Sequence, residues 1–276
     1  MAENEYLFID GGYFTARFAE VVTRMFTLEQ LPDFNLTAVQ RQFGAQKLFY
    51  YDCLDDVARP GETAEQTSER ITEQERRFAQ FSALPGVHVR LGTLSGSKQK
   101  KLRQKEVDVQ LAVDMLTHAF SRNMTRATLI AGDLDFRPIV HALVQLGTYV
   151  RLCYLPSSVA RDLRAAADEG VEITVAMAHS WTNLEFQMVH QIPQTIEAGS
   201  HHQFADSLIR SHGTIAGHKA ELRFHDGNQW FVIMMPDYPS PYRYRMIYHR
   251  DYPLLEKYVS VTEGPVHWDN PPVVRG

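Results

Sequence analysis

Short apolar runs alternate with amphipathic helical patterns over the first 175 residues, and this alternation constrains the fold more than any other feature. Runs rich in β-branched and aromatic residues predict strands at 6–10, 47–52, 87–94, 127–133, 149–155 and 172–176. The spacing of apolar side chains between them predicts helices near 12–28, 66–84, 105–121, 135–147 and 159–169. We therefore predict an α/β domain of three layers, with helices on both faces of a mainly parallel sheet.

The pattern changes after residue 182. We interpret 183–199 as a linker that separates a domain over 1–182 from a small β-rich accessory domain over 200–276. In the accessory domain, "HDGN" at 225–228 separates two β-like runs and predicts a hairpin. The run "YRYRMIYHR" at 242–250 fits a half-buried strand with a solvated arginine face, an RNA-binding strand or a protein-docking strand.

Composition narrows the class of protein. The net charge of −5 argues against indiscriminate nucleic-acid binding but leaves room for a local basic groove. With only Cys53 and Cys153, a disulfide framework is implausible. No apolar stretch reaches membrane length, and the first apolar segment is too short for a signal peptide. We expect a cytoplasmic protein without a membrane partner.

Four aspartates stand at positions where parallel sheets place functional groups. Asp10 ends the first predicted strand and precedes two glycines, Asp133 ends the fourth strand, and Asp135 opens the helix that follows. Asp108 lies on the helix that leads into the fourth strand. Because ligands bind at the carboxyl ends of parallel strands, we expect the four carboxylates to meet at one edge of the sheet.

The helical period separates Asp108 from the other acids of its helix. At about 100° per residue, Asp108 lies in the middle of an apolar face, where an unpaired carboxylate is costly. Asp114 falls on the opposite, solvated arc. Ala112, Met115 and Ala119 lie nearest to Asp108 on this face. The face is flanked by Val107 and Leu111 on one side and by Val109, Val113, Leu116 and Phe120 on the other.

Each aspartate also has a purely structural interpretation. Asp133 and Asp135 could cap a helix, Asp108 could pair with Lys105, and Asp10 could accept hydrogen bonds in the Gly-Gly turn. Two carboxylates about 5 Å apart repel by roughly 3 kcal/mol at an effective dielectric constant near 20. A hard divalent cation such as Mg²⁺ or Mn²⁺ would relieve that repulsion, and no Cys/His spacing offers a zinc site instead.

Three motifs together resemble a known family. "FIDGGYF", "KEVDVQLAVDML" and "LIAGDLDFRPIV", in this order, resemble the NYN domain of the PIN-like nuclease superfamily, with the LabA-like branch most similar, over about residues 5–175. The resemblance implies a PIN-like fold and a metal-dependent nuclease that hydrolyses the phosphodiester bonds of RNA. It also implies that Asp10, Asp108, Asp133 and Asp135 hold Mg²⁺ or Mn²⁺ at the catalytic centre.

One position departs from the family pattern, because Tyr13 stands where the family often has Asn. A catalytically inactive PIN-like RNA-binding or regulatory protein is therefore the alternative. A phosphatase of the haloacid-dehalogenase type is disfavoured, since its second Asp would fall on Gly12.

Basic and aromatic residues near the acids are candidates for contacts with RNA or DNA. A basic run precedes the Asp108 helix and either contacts phosphates or forms a solvated loop; its members are Lys98, Lys100, Lys101, Arg103 and Lys105. Arg137 is a further candidate phosphate contact. Tyr13 and Phe136 either stack on bases or pack in the core. Residues 200–276 leave room for a homo-oligomer or a protein partner.

Overall fold

The computed structural model describes residues 4–92, 100–197, 204, 206–236 and 245–270, and of residues 100–105 and 197 it describes the backbone alone. The chain forms two compact units. The first unit comprises residues 1–21 and 33–181, and the second comprises residues 22–32 and 182–276.

The first unit contains a parallel sheet whose strand order fixes where a site can form. Its strands are β1 (Glu5–Asp10), β2 (Lys47–Asp52), β3 (Val87–Leu91), β4 (Arg126–Ile130), β5 (Tyr149–Tyr154) and β6 (Glu169–Glu172). In the described residues the order is β3-β2-β1-β4-β5-β6, and every neighbouring pair is parallel. The winding direction reverses between β1 and β4, which opens a crevice at their carboxyl ends. The predicted α/β class and mainly parallel sheet are confirmed.

Helices connect these strands. They are α1 (Gly11–Met25), α2 (Leu36–Gln42), α3 (Ala64–Ser82), α4 (Lys100–Phe120), α5 (Arg137–Gln145), α6 (Arg161–Ala166) and α7 (Val175–Ser180). Leu7, Phe8 and Ile9 of β1 are each 0% exposed, so this strand is buried on both faces. Such burial explains why its sequence is a continuous apolar run rather than an alternating one.

Several predicted elements differ from those in the structure. The strand predicted at 172–176 ends at Glu172, because Thr174 caps α7 by accepting a hydrogen bond from the Met177 amide at 3.2 Å. The helix predicted from residue 105 begins at Lys100. The short helix α2, which Asn35 caps by accepting from the amides of residues 37 and 38, was not predicted.

The buried face of α4 is narrower than the predicted face. Val109, Val113 and Phe120 are 62%, 53% and 74% exposed, although the period placed them on the apolar side. Asp114, predicted to be solvated, accepts a hydrogen bond from the Tyr51 hydroxyl at 2.9 Å. The helix packs on β1 and β2 along the predicted centre and one predicted flank of the face, a stripe that consists of Val107, Leu111, Met115 and Ala119.

The second unit is β-rich, as predicted. It contains α8 (Leu184–Val189), β7 (Gln194–Glu197), β8 (Leu208–Ile215), β9 (His218–His225), β10 (Trp230–Met235), β11 (Arg245–His249), α9 (Tyr252–Thr262) and β12 (Val266–Trp268). The strands form an antiparallel sheet in the order β12-β8-β9-β10-β11-β7 within the described residues. The hairpin predicted at "HDGN" is confirmed as the turn between β9 and β10.

Two interpretations in the second unit need correction. The segment 183–199 is not simply a linker, because it carries α8 and β7, and β7 pairs with β11 through backbone hydrogen bonds. The arginine face of 242–250 is not fully solvated, since Arg245 is 21% exposed and lies 2.9 Å from the Glu263 carboxylate. Residues 242–244 lie outside the described residues.

None of the described helices is both long enough and apolar enough to cross a membrane.

The turn from β1 into α1 requires glycine at its first helical position. A Cβ atom on Gly11 would lie 2.7 Å from three atoms: the Asp52 Oδ2, the Tyr50 Cζ and the Tyr51 carbonyl oxygen. Such distances are well inside van der Waals contact, so the end of β2 can approach α1 only because this side chain is absent. By contrast, a Cβ atom on Gly12 would meet the Asp10 Oδ1 at an ordinary 3.5 Å.

We expect Gly11→Ala to lower the free energy of unfolding by about 1–3 kcal/mol, because the new methyl group overpacks the contact with β2. Gly12→Ala is the matched control in the same helix, and we expect it to be neutral or stabilising by up to about 1 kcal/mol. Urea denaturation of both variants measures the difference. Equal stability of the two variants would contradict the close approach.

Candidate active site at the carboxyl edge of the parallel sheet

The two strands at the reversal of winding bring Asp10 and Asp133 to the same edge. Asp10 is the last residue of β1, and its Oδ1 accepts a hydrogen bond from the Tyr13 amide at 3.1 Å. Asp133 follows β4 and opens a short 3₁₀ turn, where its Oδ1 accepts from the Asp135 amide at 3.0 Å. The local structural roles left open for Asp10 and Asp133 thus coexist with their convergence at one edge.

Asp135 does not cap α5. The residue before α5 is Phe136, which makes no side-chain capping bond, and Asp135 lies within the preceding 3₁₀ turn. Its side chain is exposed, like that of Asp133. Both carboxylates are therefore on the open side of the site.

The pKa values show that the predicted acids act on one another. Burial, together with the Asp52 and Asp133 carboxylates, raises the pKa of Asp10 to about 6, although the amides of residues 12 and 13 act in the opposite direction. Burial also raises the pKa of Asp108 to about 6, and the carboxylates of Asp10, Asp133 and Asp135 contribute in the same direction. The structure thus brings together the four acids that the sequence singled out.

Asp52 belongs to this site and was missed in the sequence. It ends β2, the strand beside β1, and its Oδ2 accepts a hydrogen bond from the Tyr50 hydroxyl at 3.2 Å. Its Oδ1 accepts from the Cys53 amide at 2.8 Å. The available signal was that "KLFYYD" ends in aspartate, as "YLFID" does, at a strand exit.

Cavities open on two sides of Asp108. One, of about 400 Å³, is lined by Asp10, Asp52 and Asp108 together with residues of α1, β2 and α3. The other, of about 410 Å³, is an apolar groove between α4 and α5 with Asp108 and Asp135 at its end. Aliphatic side chains supply most of its wall: Val109, Ala112, Leu116, Pro138, Ile139 and Ala142.

The two aromatic candidates for base stacking are packed in the fold. Phe136 is 2% exposed. The Tyr13 ring lies against Gly132, where an added Cβ would come within 2.3 Å of it, and the Tyr13 hydroxyl accepts a hydrogen bond from the Leu155 amide at 3.0 Å. Ser158 Oγ lies 3.2 Å from the same hydroxyl. Packing, the alternative that the sequence left open, describes both residues.

Among the basic candidates, the structure describes the side chain of Arg137 and not those of the basic run before Asp108. Arg137 is exposed, with its Nη1 3.5 Å from the Asp162 carboxylate. Lys98 lies outside the described residues, and the side chains of Lys100, Lys101, Arg103 and Lys105 are likewise outside the description. The backbone of these last four residues forms the start of α4 rather than a loop. A role for the basic run in phosphate binding stays a prediction.

The chemistry of the donor set can be compared with what a metal ion needs. The converging donors are carboxylate oxygens, which hard divalent cations prefer. Within the described residues, no group of three or more Asp, Glu, His or Cys side chains is arranged to hold a metal ion. The donor type and the mutual repulsion of the acids fit Mg²⁺ or Mn²⁺, and a bound ion stays a prediction.

The fold and site define the first unit as an α/β domain with a six-stranded parallel sheet and an acidic edge. Residues 39–174 match the family model of the NYN domain. The match confirms the resemblance over these residues and includes Asp108, Asp133 and Asp135, whereas Asp10 precedes it.

Comparisons with individual proteins add little. No curated protein matches the chain. Among solved structures, the chain is similar to a protein of unknown function from Vibrio parahaemolyticus, at 18% identity and a TM-score of 0.41. That similarity covers 62% of this chain and 93% of the other.

The raised pKa of Asp10 predicts how stability depends on pH. Between its unfolded value of 3.8 and its folded value of about 6, the folded state binds more protons than the unfolded state. Stability from the protonated carboxyl is therefore present at low pH and lost as the pH rises through 6. Asp10→Asn retains an acceptor for the Tyr13 amide without the charge. In EDTA at pH 7.5 we expect this variant to melt at least about 2 °C above the wild type.

We expect that advantage to shrink as the pH falls to 5, where the wild-type carboxyl is largely protonated. Thermal melts at pH 5 and pH 7.5 measure the change, with the exposed Asp226→Asn as control. A melting temperature of Asp10→Asn equal to or below that of the wild type at pH 7.5 would exclude a destabilising charge at residue 10.

Proposed function

We propose that the NYN domain is a metal-dependent nuclease, in the first instance a ribonuclease that hydrolyses phosphodiester bonds of single-stranded RNA. The supporting observation is the convergence of carboxylates from separate elements at the reversal of winding, where burial and mutual repulsion raise two of their pKa values to about 6. Mg²⁺ or Mn²⁺ would be held by Asp10, Asp108, Asp133 and Asp135. We add Asp52 to this set because its charge acts directly on Asp10.

The acids suit this role because they are costly to the fold without a cation. At neutral pH, Asp10 and Asp108 must ionise against both burial and neighbouring negative charge. A divalent cation would turn that cost into binding energy, since its charge attracts the same carboxylates that repel one another. The site is thus built in a way that favours occupation by a cation.

The chain's own residues would divide the remaining tasks. A bound cation would supply Lewis-acid activation of the scissile phosphate and of the attacking water. The exposed Asp133 and Asp135 lie on the side open to solvent, where they can contact an incoming ligand. Asp108 lines both cavities, so a strand that passes from one cavity to the other crosses it. A carboxylate oxygen not bound to the cation would accept the proton of the water.

Tyr13 favours a second candidate function. The polar side chain that the family often carries at this position is replaced by a ring whose hydroxyl bonds to Leu155 and Ser158 within the fold. A domain that has lost this polar group could bind RNA without cutting it. The second candidate is therefore a catalytically inactive RNA-binding or regulatory protein.

We expect the full-length protein to cleave a labelled single-stranded RNA with Mn²⁺ or Mg²⁺ and to lose this cleavage in EDTA. Asp133→Asn and Asp108→Asn should each reduce the rate at least about 100-fold, because each removes a charge from the cation site. Gel analysis of the products measures the rates, and circular dichroism checks that the variants are folded. Asp226→Asn, an exposed change in the second unit, should leave the rate unchanged.

Single-stranded DNA of the same sequence, tested in parallel, determines whether the activity requires RNA. Cleavage that persists in the folded Asp133→Asn variant, or in EDTA, would contradict the proposed site. Binding of RNA without cleavage by the wild type would favour the second candidate instead.

A further inference from the structure

The cavity lined by Asp10, Asp52 and Asp108 is also lined by a positively charged side chain. Arg77, on α3, lines this cavity and is its one basic side chain among the described residues. A nucleic-acid strand brings phosphates beside the scissile one, and a site lined by carboxylates alone repels them. A basic side chain in the same cavity therefore has a chemical use that the acids cannot fulfil.

Arg77 is held by stacking. The guanidinium carbon lies 4.3 Å from the ring centroid of Phe34 and 5.3 Å from that of Phe81, and both rings are buried. A guanidinium that stacks on aromatic rings uses its flat face, whereas its five N–H donors point outward in its own plane. Stacking thus fixes the position of the charge without consuming its hydrogen-bond donors.

Arg77 also differs from nearby arginines on the same helix. Arg76 donates to the Glu73 carboxylate at 2.8 Å, and Arg70 donates to the Glu62 carboxylate at 2.8 Å. Among the described residues, by contrast, no carboxylate oxygen lies within 4.0 Å of the Arg77 guanidinium, although four aspartates line its cavity. The Arg77 side chain is stacked and half-buried. It forms no ion pair within the described residues, although, after Arg76, its charge contributes to the lowered pKa of Glu73.

We propose that Arg77 is a phosphate-binding residue of the cleft and holds a backbone phosphate that flanks the scissile one in a single-stranded nucleic acid. The proposal rests on the proposed function for the identity of the ligand. The observation that supports it is separate from those that support the nuclease. Arg77 stacks on two buried rings, forms no ion pair within the described residues, and lines the same cavity as the acids. Arg77 is a binding residue and takes no part in the chemical step.

The test measures RNA binding rather than cleavage. Full-length protein carrying Asp133→Asn is titrated with fluorescent single-stranded RNA in Mg²⁺ at several salt concentrations. Addition of Arg77→Gln should weaken binding about tenfold and reduce the slope of log affinity against log salt by about 0.7, the value for one phosphate contact on a single strand. Arg77→Lys should retain most of the slope, because it keeps the charge.

Arg76→Gln is the matched control, because Arg76 is the adjacent basic residue and already has a carboxylate partner. It should leave affinity and slope unchanged. Melting curves for all variants separate a loss of binding from a loss of the stacking on Phe34 and Phe81. A fall in stability alone, with the salt slope intact, would overturn the proposal and leave Arg77 a structural residue.

A second readout locates the contact. Replacing one phosphate of the RNA at a time by an uncharged methylphosphonate should reveal one linkage whose replacement weakens the Arg77 protein and has no further effect on Arg77→Gln. Such non-additivity is the signature of a direct pair. Equal losses at every linkage in both proteins would overturn the proposal.

The experiments distinguish failure of the Arg77 proposal from failure of the nuclease proposal. If the wild type cleaves RNA while Arg77→Gln binds like Arg76→Gln, the Arg77 proposal fails and the nuclease stands. If the wild type never cleaves but the slope falls with Arg77→Gln, the nuclease fails and the phosphate contact stands.

Discussion

Burial of β1 between two parallel strands is the constraint on which the acidic edge of the first unit depends. Asp10 and Asp108 both have pKa values raised to about 6 by burial and by neighbouring acids. The fold sustains this repulsion because β1 is buried on both faces and bonded on both sides by parallel strands. Gly11 then lets Asp52 approach closely. Apolar burial thus supports an arrangement that is unfavourable by itself.

Contacts of Tyr13, the residue that departs from the family pattern, also stabilise this edge of the sheet. Tyr13 follows the Asp10 turn, packs against Gly132 beside Asp133, and bonds through its hydroxyl to the amide of Leu155. One side chain therefore connects the ends of β1, β4 and β5. The Tyr13 hydroxyl is hydrogen-bonded within the fold, and its ring packs against the segment that carries Asp133.

The negatively charged aspartates and the positively charged Arg77 have different surroundings at the site. The acids converge and repel, and their repulsion favours a cation. Arg77 instead stacks on Phe34 and Phe81 and forms no ion pair within the described residues. In a chain with a net charge of −5, local placement of charge therefore differs from the overall balance.

The sequence by itself determined the alternation of strands and helices, the strand exits at Asp10 and Asp133, and the hairpin of the second unit, because burial and turn chemistry leave local patterns. Tertiary structure alone decided which strands are neighbours. That adjacency placed Asp52 beside Asp10, left one predicted flank of α4 exposed, and made part of 183–199 a strand of the second sheet. It also set Arg77, 67 positions from Asp10, into the same cavity. Local periodicity records whether a residue is buried, but only the packed chain determines what it is buried against.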